Sequence, residues 1–361
     1  MNLLITTCEG FLTGATRSTS LLAKGLAQRG HRVFVGCPKD SLLQNLLEDS
    51  GADVIPMNFT SKIDFETIRK IRDVVRNENI DIVNAQSSTD RYLTIFSKML
   101  FNLPAKVVHT RRQRSLSMGG AIQRSFYVRG TSKIVVVSNQ LKAHFVDRGY
   151  PADHIHVIYN GISRDFFESA DKTRVEELKA KFDICPEDRV VGCISRLKNQ
   201  EQLVRAAKLL PSDVKLFFAG IEKGLFDQLV REIGLPNEII YAGIAPIADV
   251  ANYYGLLDVF VLPSTMDGFG LVLVEAMGMG VPVVATRSFG IIDVLDNGNN
   301  GLLFDDGDIE GLAANIKTLL FDEEIRSRNI EKGRTAAFEK FTIERTIENY
   351  EQFFENLISE G

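Results

Sequence analysis

The chain has 361 residues, 45% of them hydrophobic and 25% charged, and carries a formal net charge of -5. That length is great for a single core and points to two domains, while the acidic balance argues against a general nucleic-acid binder. Four scattered cysteines, Cys8, Cys37, Cys185 and Cys193, include no C-x-x-C pair, which suits a reducing compartment and speaks against a zinc ribbon or a disulfide framework.

Short apolar runs rich in Val and Ile open the chain: "NLLIT" (2–6), "RVFVG" (32–36), "DIVNA" (81–85), "KVVHT" (106–110) and "KIVVVS" (133–138). Helical patterns lie between them. Such runs read as strands buried on both faces, linked by crossover helices. The start "MNLLITT" lacks the basic flank of a leader, and no apolar run approaches the roughly 20 residues that span a bilayer. A cytoplasmic protein is expected. From Arg91 to Val146 there are ten Lys or Arg and no Asp or Glu. This basic segment reads either as a solvated face near an anionic ligand or as a surface for an anionic membrane or phosphorylated acceptor.

After "HVIYNGISRDFF" the polar stretch "ESADKTRVEELKAKFDICPEDRV" has the character of a connector. A second strand series follows: "VVGCIS" (190–195), "VKLFFAG" (214–220), "NEIIYAG" (237–243), "DVFVLP" (258–263) and "VPVVAT" (281–286). The expected architecture is therefore α/β, with two doubly wound, Rossmann-like domains, 1–168 and 169–342, facing across a cleft. Ligands of open α/β sheets bind beyond the carboxyl ends of the strands. Near the end, Ile343, Ile347, Tyr350, Phe354 and Leu357 recur at steps of four, three, four and three. That is one apolar stripe on a helix, and 343–361 is expected to cross back onto the first domain.

Chemistry concentrates in "DVFVLPSTMDGFGLVLVEAMGMGVPVVAT" (258–286). The strand ends at Pro263, "STMDGFG" supplies turn residues, and "LVLVEAMGMG" reads as a short, buried helix. Glu275 inside it is a carboxylate that must find partners, because burying it unpaired is expensive. The N–H groups of Gly268, Phe269 and Gly270 gather at the helix start, where anions are favoured. A phosphorylated ligand with sugar hydroxyls would satisfy both features; pairing of Glu275 with an internal Arg or Lys is the alternative.

This segment resembles the signature of retaining GT-B glycosyltransferases of family 4, P-S-x-x-E-G-F-G-L-x-x-x-E-A-M-A-x-G-x-P-V-V-A. Glu275 matches the second acid of that motif, and Asp267 stands at the first, one methylene shorter. "VIYNGISRDFF" is similar to V-I-P-N-G-V-D-x-x-x-F, keeping Asn160 and Gly161. "FGIIDVLDNGNNGLLFDDGD" is similar to G-G-x-x-E-V-I-x-D-G-x-N-G-L-L-V, with Asp293 in place of Glu, and "GLAQRGHRV" matches L-x-x-R-G-H-x-V. "IVVVSN" resembles the strand before the interdomain region. The resemblance covers nearly the whole chain.

The resemblance implies transfer of a sugar, with retention and without a metal or other cofactor, from a nucleoside-diphosphate sugar to a saccharide or lipid-linked acceptor in lipopolysaccharide or surface-polysaccharide synthesis. It implies catalytic roles for Arg196, Lys198, Asp267 and Glu275. The Arg and Lys hold the diphosphate, although only Leu197 separates them here, where the family has about four residues. It places the donor against Gly14, Asn160, Gly243, Ile244, Gly268, Phe269, Gly270 and Leu271, with base stacking near Gly243 and Ile244. On the acceptor side stand His109, Arg111 and Arg112; Arg112 occupies the place where many family members have His. Partners are the sugar nucleotide, the acceptor and an anionic membrane surface met by the 91–146 segment on the inner membrane face. No nucleic acid is expected.

A nucleotide-sugar epimerase of the same fold and a non-catalytic sugar-nucleotide-binding protein are the rival readings. No G-x-G-x-x-G fingerprint or Walker loop is present. "DDGD" (305–308) imitates a metal motif, but Asp308 suits a helix N-cap, and "HIH" (154–156) offers no third ligand. A glycosidase would also use two carboxylates; the buried helix and basic loop argue against it.

Overall fold

The computed structural model describes residues 1–11, 13–113 and 120–360; Arg114, part of the basic stretch, lies outside them. The chain forms two compact units, Met1–Gly161 with Ile343–Gly361, and Ile162–Thr342.

Among the described residues unit 1 has seven strands: β1 (Asn2–Thr6), β2 (Arg32–Cys37), β3 (Asp53–Pro56), β4 (Ile82–Ala85), β5 (Lys106–Arg111), β6 (Lys133–Val136) and β7 (Ile155–Val157). Their order is β3-β2-β1-β4-β5-β6-β7, all parallel. Side chains alternate across the sheet. Leu3 and Ile5 therefore join a core on one face, with Leu22, Leu26 and Phe354, while Leu4 joins Ile68, Ile71 and Leu93 on the other. Direction of winding reverses between β1 and β4, which makes the carboxyl ends of β1, β4 and β5 the place for a ligand.

Unit 2 has six strands: β8 (Arg189–Ile194), β9 (Val214–Ala219), β10 (Ile239–Gly243), β11 (Val259–Leu262), β12 (Val283–Thr286) and β13 (Leu302–Phe304). The order is β10-β9-β8-β11-β12-β13, again parallel. Its switch point lies between β8 and β11. Strands β3 and β13 were not among those read from the sequence.

The second domain, expected to begin at residue 169, is the compact unit that begins at Ile162. Packing explains the shift. Ile162 bridges Thr342, and Phe167 lies against helix Leu271–Gly278 so closely that a Cβ on Gly278 would stand 2.2 Å from its ring. The terminal helix Ile343–Ser359 returns to unit 1 and buries Ile343, Ile347, Tyr350, Phe353, Phe354 and Leu357. It packs on helix Gly14–Gln28 at Gly25, where a Cβ would fall 2.0 Å from the Ile347 side chain. Among the described residues, no helix is long and apolar enough to cross a membrane.

Candidate active site

In unit 2 the residues singled out from the sequence gather at the carboxyl ends of adjacent strands. The loop after β8 carries Arg196, exposed, and Lys198, half-buried. The loop after β11 carries Asp267. Across the switch point the Lys198 ammonium is gripped by both Asp267 oxygens, at 2.8 and 2.9 Å, with both side chains 17% exposed. Two unit charges 4 Å apart attract by about 4 kcal/mol at an effective dielectric near 20, and this pair is closer, which is enough to fix where Lys198 points.

The turn that follows is made rigid by a second loop. Gly270, at φ +90°, precedes helix Leu271–Gly278 as its N-cap, a conformation natural to glycine. Gly290 packs so tightly on this turn that a Cβ there would lie 2.0 Å from the Gly268 carbonyl oxygen. The Gly290 N–H donates to the Asp267 carbonyl at 3.2 Å, and the Ser288 hydroxyl donates to the Ser264 carbonyl at 2.7 Å. The Phe269 ring is buried edge-on to Phe341. Below the turn, Glu275 is 6% exposed and accepts a hydrogen bond of 2.8 Å from the fully buried Tyr254 hydroxyl. Gly243 ends β10 at φ +68° and Ile244 follows, 88% exposed, an open apolar surface beside the loop.

Sequence reasoning missed the residue that shapes the basic loop. Gln200 is fully buried. Its amide nitrogen donates to the Ser195 hydroxyl at 3.1 Å and the Arg196 carbonyl at 2.9 Å, and its amide oxygen accepts from the Lys198 N–H. The short loop is thus folded around one side chain. Tyr254 and Gly290 were also missed. Gln200 stands two residues after Lys198, in "KNQ", so proximity was the available signal; Gly290 lies in the family-like stretch "FGIIDVLDNG", and nothing in the local pattern marks Tyr254.

In unit 1, Gly14 begins helix Gly14–Gln28 behind its N-cap Thr13, and Asn160 is buried near the unit's end. Arg111 and Arg112 line a cavity of about 380 Å³ at the carboxyl ends of β4 and β5. The Arg111 guanidinium lies 4.8 Å from the Tyr127 ring centre and 5.5 Å from that of Phe145. His109 sits inside β5, fully buried, with its Nε2 3.4 Å from the Thr94 hydroxyl. Burial holds its pKa well below 6.5, and Arg91 and Arg111 push in the same direction. It is a neutral strand residue behind the cavity wall.

The decoys resolve. Asp308 caps helix Ile309–Phe321 by accepting from the Gly311 N–H at 2.9 Å. His154 bonds the Thr131 hydroxyl at 2.9 Å, and His156 stacks on Phe353 at 4.6 Å. Among the described residues no group of three or more His, Cys, Asp or Glu could hold a metal ion.

Two parallel doubly wound units of this kind find their counterparts among glycosyltransferases. Residues 12–166 match the family described as Glycosyltransferase Family 4, and residues 175–336 match Glycosyl transferases group 1. The chain belongs to this family and is a glycosyltransferase of the GT-B type. It is 26% identical to the N-acetyl-alpha-D-glucosaminyl L-malate synthase of Bacillus anthracis, over 98% of this chain and 96% of that protein. It is 24% identical to the capsular polysaccharide biosynthesis glycosyltransferase CapM of Staphylococcus aureus, over 86% of each. The crystal structure of HepE from Anabaena in complex with UDP-glucose shares the fold. Its TM-score is 0.83 and its identity 22%, and the match covers 99% of this chain and 100% of that one.

Proposed function

We propose that this transferase moves a hexose, with retention and without a metal, from a UDP- or GDP-sugar to a saccharide or lipid-linked acceptor in lipopolysaccharide or surface-polysaccharide synthesis. The observation that carries this reading is the Lys198–Asp267 pair, set beside the Gly268–Gly270 turn with Glu275 beneath it. A departing diphosphate gains negative charge, and fixed cations and N–H donors stabilise it without reorganising. Lys198 and Arg196 are the cations, and the turn supplies N–H groups. The diphosphate takes over the Lys198 ammonium, which frees Asp267 to accept from sugar hydroxyls. Glu275, held by Tyr254, binds the ribose diol, and Ile244 offers the base an apolar surface.

Retention follows if the acceptor attacks on the face the leaving group departs from and the phosphate takes its proton, so that no protein base is required. The CapM relative favours a surface-polysaccharide product, and the HepE complex favours UDP as the nucleotide. Unit 1 takes the acceptor, and its basic 91–146 segment brings the enzyme to an anionic membrane surface.

Nucleotide release is measured for UDP- and GDP-sugars, with and without a saccharide or lipid-linked acceptor. Glu275→Ala abolishes donor use; an unchanged rate removes Glu275 from the mechanism. Chelator leaves the rate intact, and NMR of the product shows the donor's anomeric configuration; metal dependence or inversion overturns the corresponding part of the reading.

A further inference from the structure

Unit 1 carries cations that the donor chemistry leaves unused. Arg91, Arg111, Arg112 and Lys62 line the cavity at the ends of β4 and β5, together with Tyr92 and Tyr127. Arginine brings five N–H donors and no acceptor. Nη1 of Arg91, Nε of Arg111, and both Nε and Nη1 of Arg112 are closed off from solvent and make no hydrogen bond among the described residues. Buried donors left unmade are costly, so an occupant that accepts from several at once would be strongly held.

The charges around the cavity do not cancel. Its lining includes one carboxylate, Glu9, which accepts from the Thr13 hydroxyl at 2.9 Å. Asp90, fully buried behind Arg91, is already engaged. It accepts from the Gln86 and Ser87 N–H groups at 2.8 and 3.0 Å and from the Ser87 hydroxyl at 2.5 Å. Among the described residues, four cations against two carboxylates leave an excess of two positive charges even with both acids ionised. Burial, with Arg111 close by, pushes the Arg91 guanidinium down to about 10, since both removal from water and a like charge disfavour the cation.

We propose that this cluster binds a compact dianion, a phosphate group carried by the acceptor. A phosphate offers oxygens to several guanidinium forks at once and neutralises the excess. Calling its carrier the acceptor rests on the transferase reading above; the anion site itself does not. Tyr92 and Gln123 also border an apolar hollow with Phe96, Ile122 and Phe126, so a phosphate on a hydrocarbon chain meets apolar surface next to its site.

The test titrates inorganic phosphate into the full chain by calorimetry at low salt, with saturating UDP present to occupy unit 2. One equivalent binds. Arg91→Gln and Arg112→Gln each weaken it at least tenfold, about 1.4 kcal/mol, and the exposed Lys62→Gln about threefold, with UDP affinity and melting of Lys62→Gln unchanged. Absence of phosphate binding under UDP, equal affinity in all three variants, or tighter binding of malonate than of phosphate overturns the proposal. Arginine-dependent phosphate binding by a chain that binds no sugar nucleotide sinks the donor reading and leaves this site standing; UDP binding without phosphate binding does the reverse. Retention on phosphatidylcholine vesicles containing phosphatidic acid, lost in Arg91→Gln, identifies a lipid-borne phosphate. Phosphate binding without vesicle retention identifies a soluble one. Either result supports the site.

Discussion

Gln200 shows how much of a site can hang on one amide. Its side chain holds Ser195, Arg196 and Lys198 in a single short loop. Gln200→Ala leaves the Lys198 N–H and the Arg196 carbonyl without this partner, at a cost of about 1–3 kcal/mol, or about 2–4 °C of melting temperature per kcal/mol for a unit of this size. Arg196 and Lys198 then lose their fixed positions, and kcat/KM for the sugar nucleotide falls at least tenfold. A variant that melts lower but turns over donor normally shows that the loop keeps its shape by other means. His109 supports a different measurement. Its folded pKa lies well below 6.5, so between those values the unfolded chain takes up a proton that the folded chain refuses. The stability it contributes is complete above about 6.5 and is lost as pH falls, with a slope approaching 1.4 kcal/mol per unit. His154 and His156 shift in the same direction, while Asp90, raised by burial, acts in the opposite sense. Urea midpoints at pH 7.5 and 5.5 therefore separate, and His109→Leu narrows the gap; an unaltered gap places the proton uptake elsewhere. Glu275 was legible because a carboxylate amid apolar residues must find a partner, and Asp267 because it stands eight positions earlier, in a glycine-rich turn that resembles the family motif. Tyr254 and Arg91 were not, since a tyrosine or an arginine in a helix acquires its role only from what the fold sets opposite it.

At the scale of elements, the informative unit is a turn pinned by its neighbour. The Gly268–Gly270 turn keeps its shape because helix Phe289–Val294 begins against it, with Gly290 allowing contact at backbone distance. Gly290→Ala places a methyl 2.0 Å from the Gly268 carbonyl, which neither backbone can accommodate without moving. Donor affinity falls at least tenfold, and the cost of overpacking is about 1–3 kcal/mol. Binding of UDP by calorimetry, set beside Gly278→Ala, which crowds the Phe167 ring instead, separates the turn from general destabilisation; equal losses in both would deny the turn a role in holding donor. Most of the strands that were legible lie inside the sheets and carry unbroken apolar runs; β10, an edge strand, was read from its "IIYAG". Strand β3 is "DVIP", half-exposed along its length, and β13 is three residues of "LLF". Both are edge strands, where a short run and a solvent-facing side dilute the apolar signal that marks the interior of a parallel sheet.

For the whole molecule, the two units have separate cores: one on Val191, Phe218, Val259 and Ile316 in unit 2, the others on Leu3, Leu22, Ile68 and Phe354 in unit 1. The terminal helix makes unit 1 discontinuous, so that unit cannot close its core until the last residues of the chain arrive. Its stripe was readable because a period of 3.6 survives any context; that Gly25 receives Ile347 was not, because the fit belongs to two helices more than 300 positions apart in sequence. Phe354→Ala opens a cavity in that fully buried seam and costs about 3–5 kcal/mol, borne by unit 1. Unit 2 keeps its own core and its strand-end residues. UDP therefore binds Phe354→Ala with unchanged affinity at temperatures where hydrogen exchange shows the amides of β1, β2 and β4 opening, and the amides of β8, β9 and β11 remain protected. Simultaneous loss of protection in both sets, with loss of UDP binding, would mean that the two cores unfold as one and that the nucleotide site depends on the terminal helix.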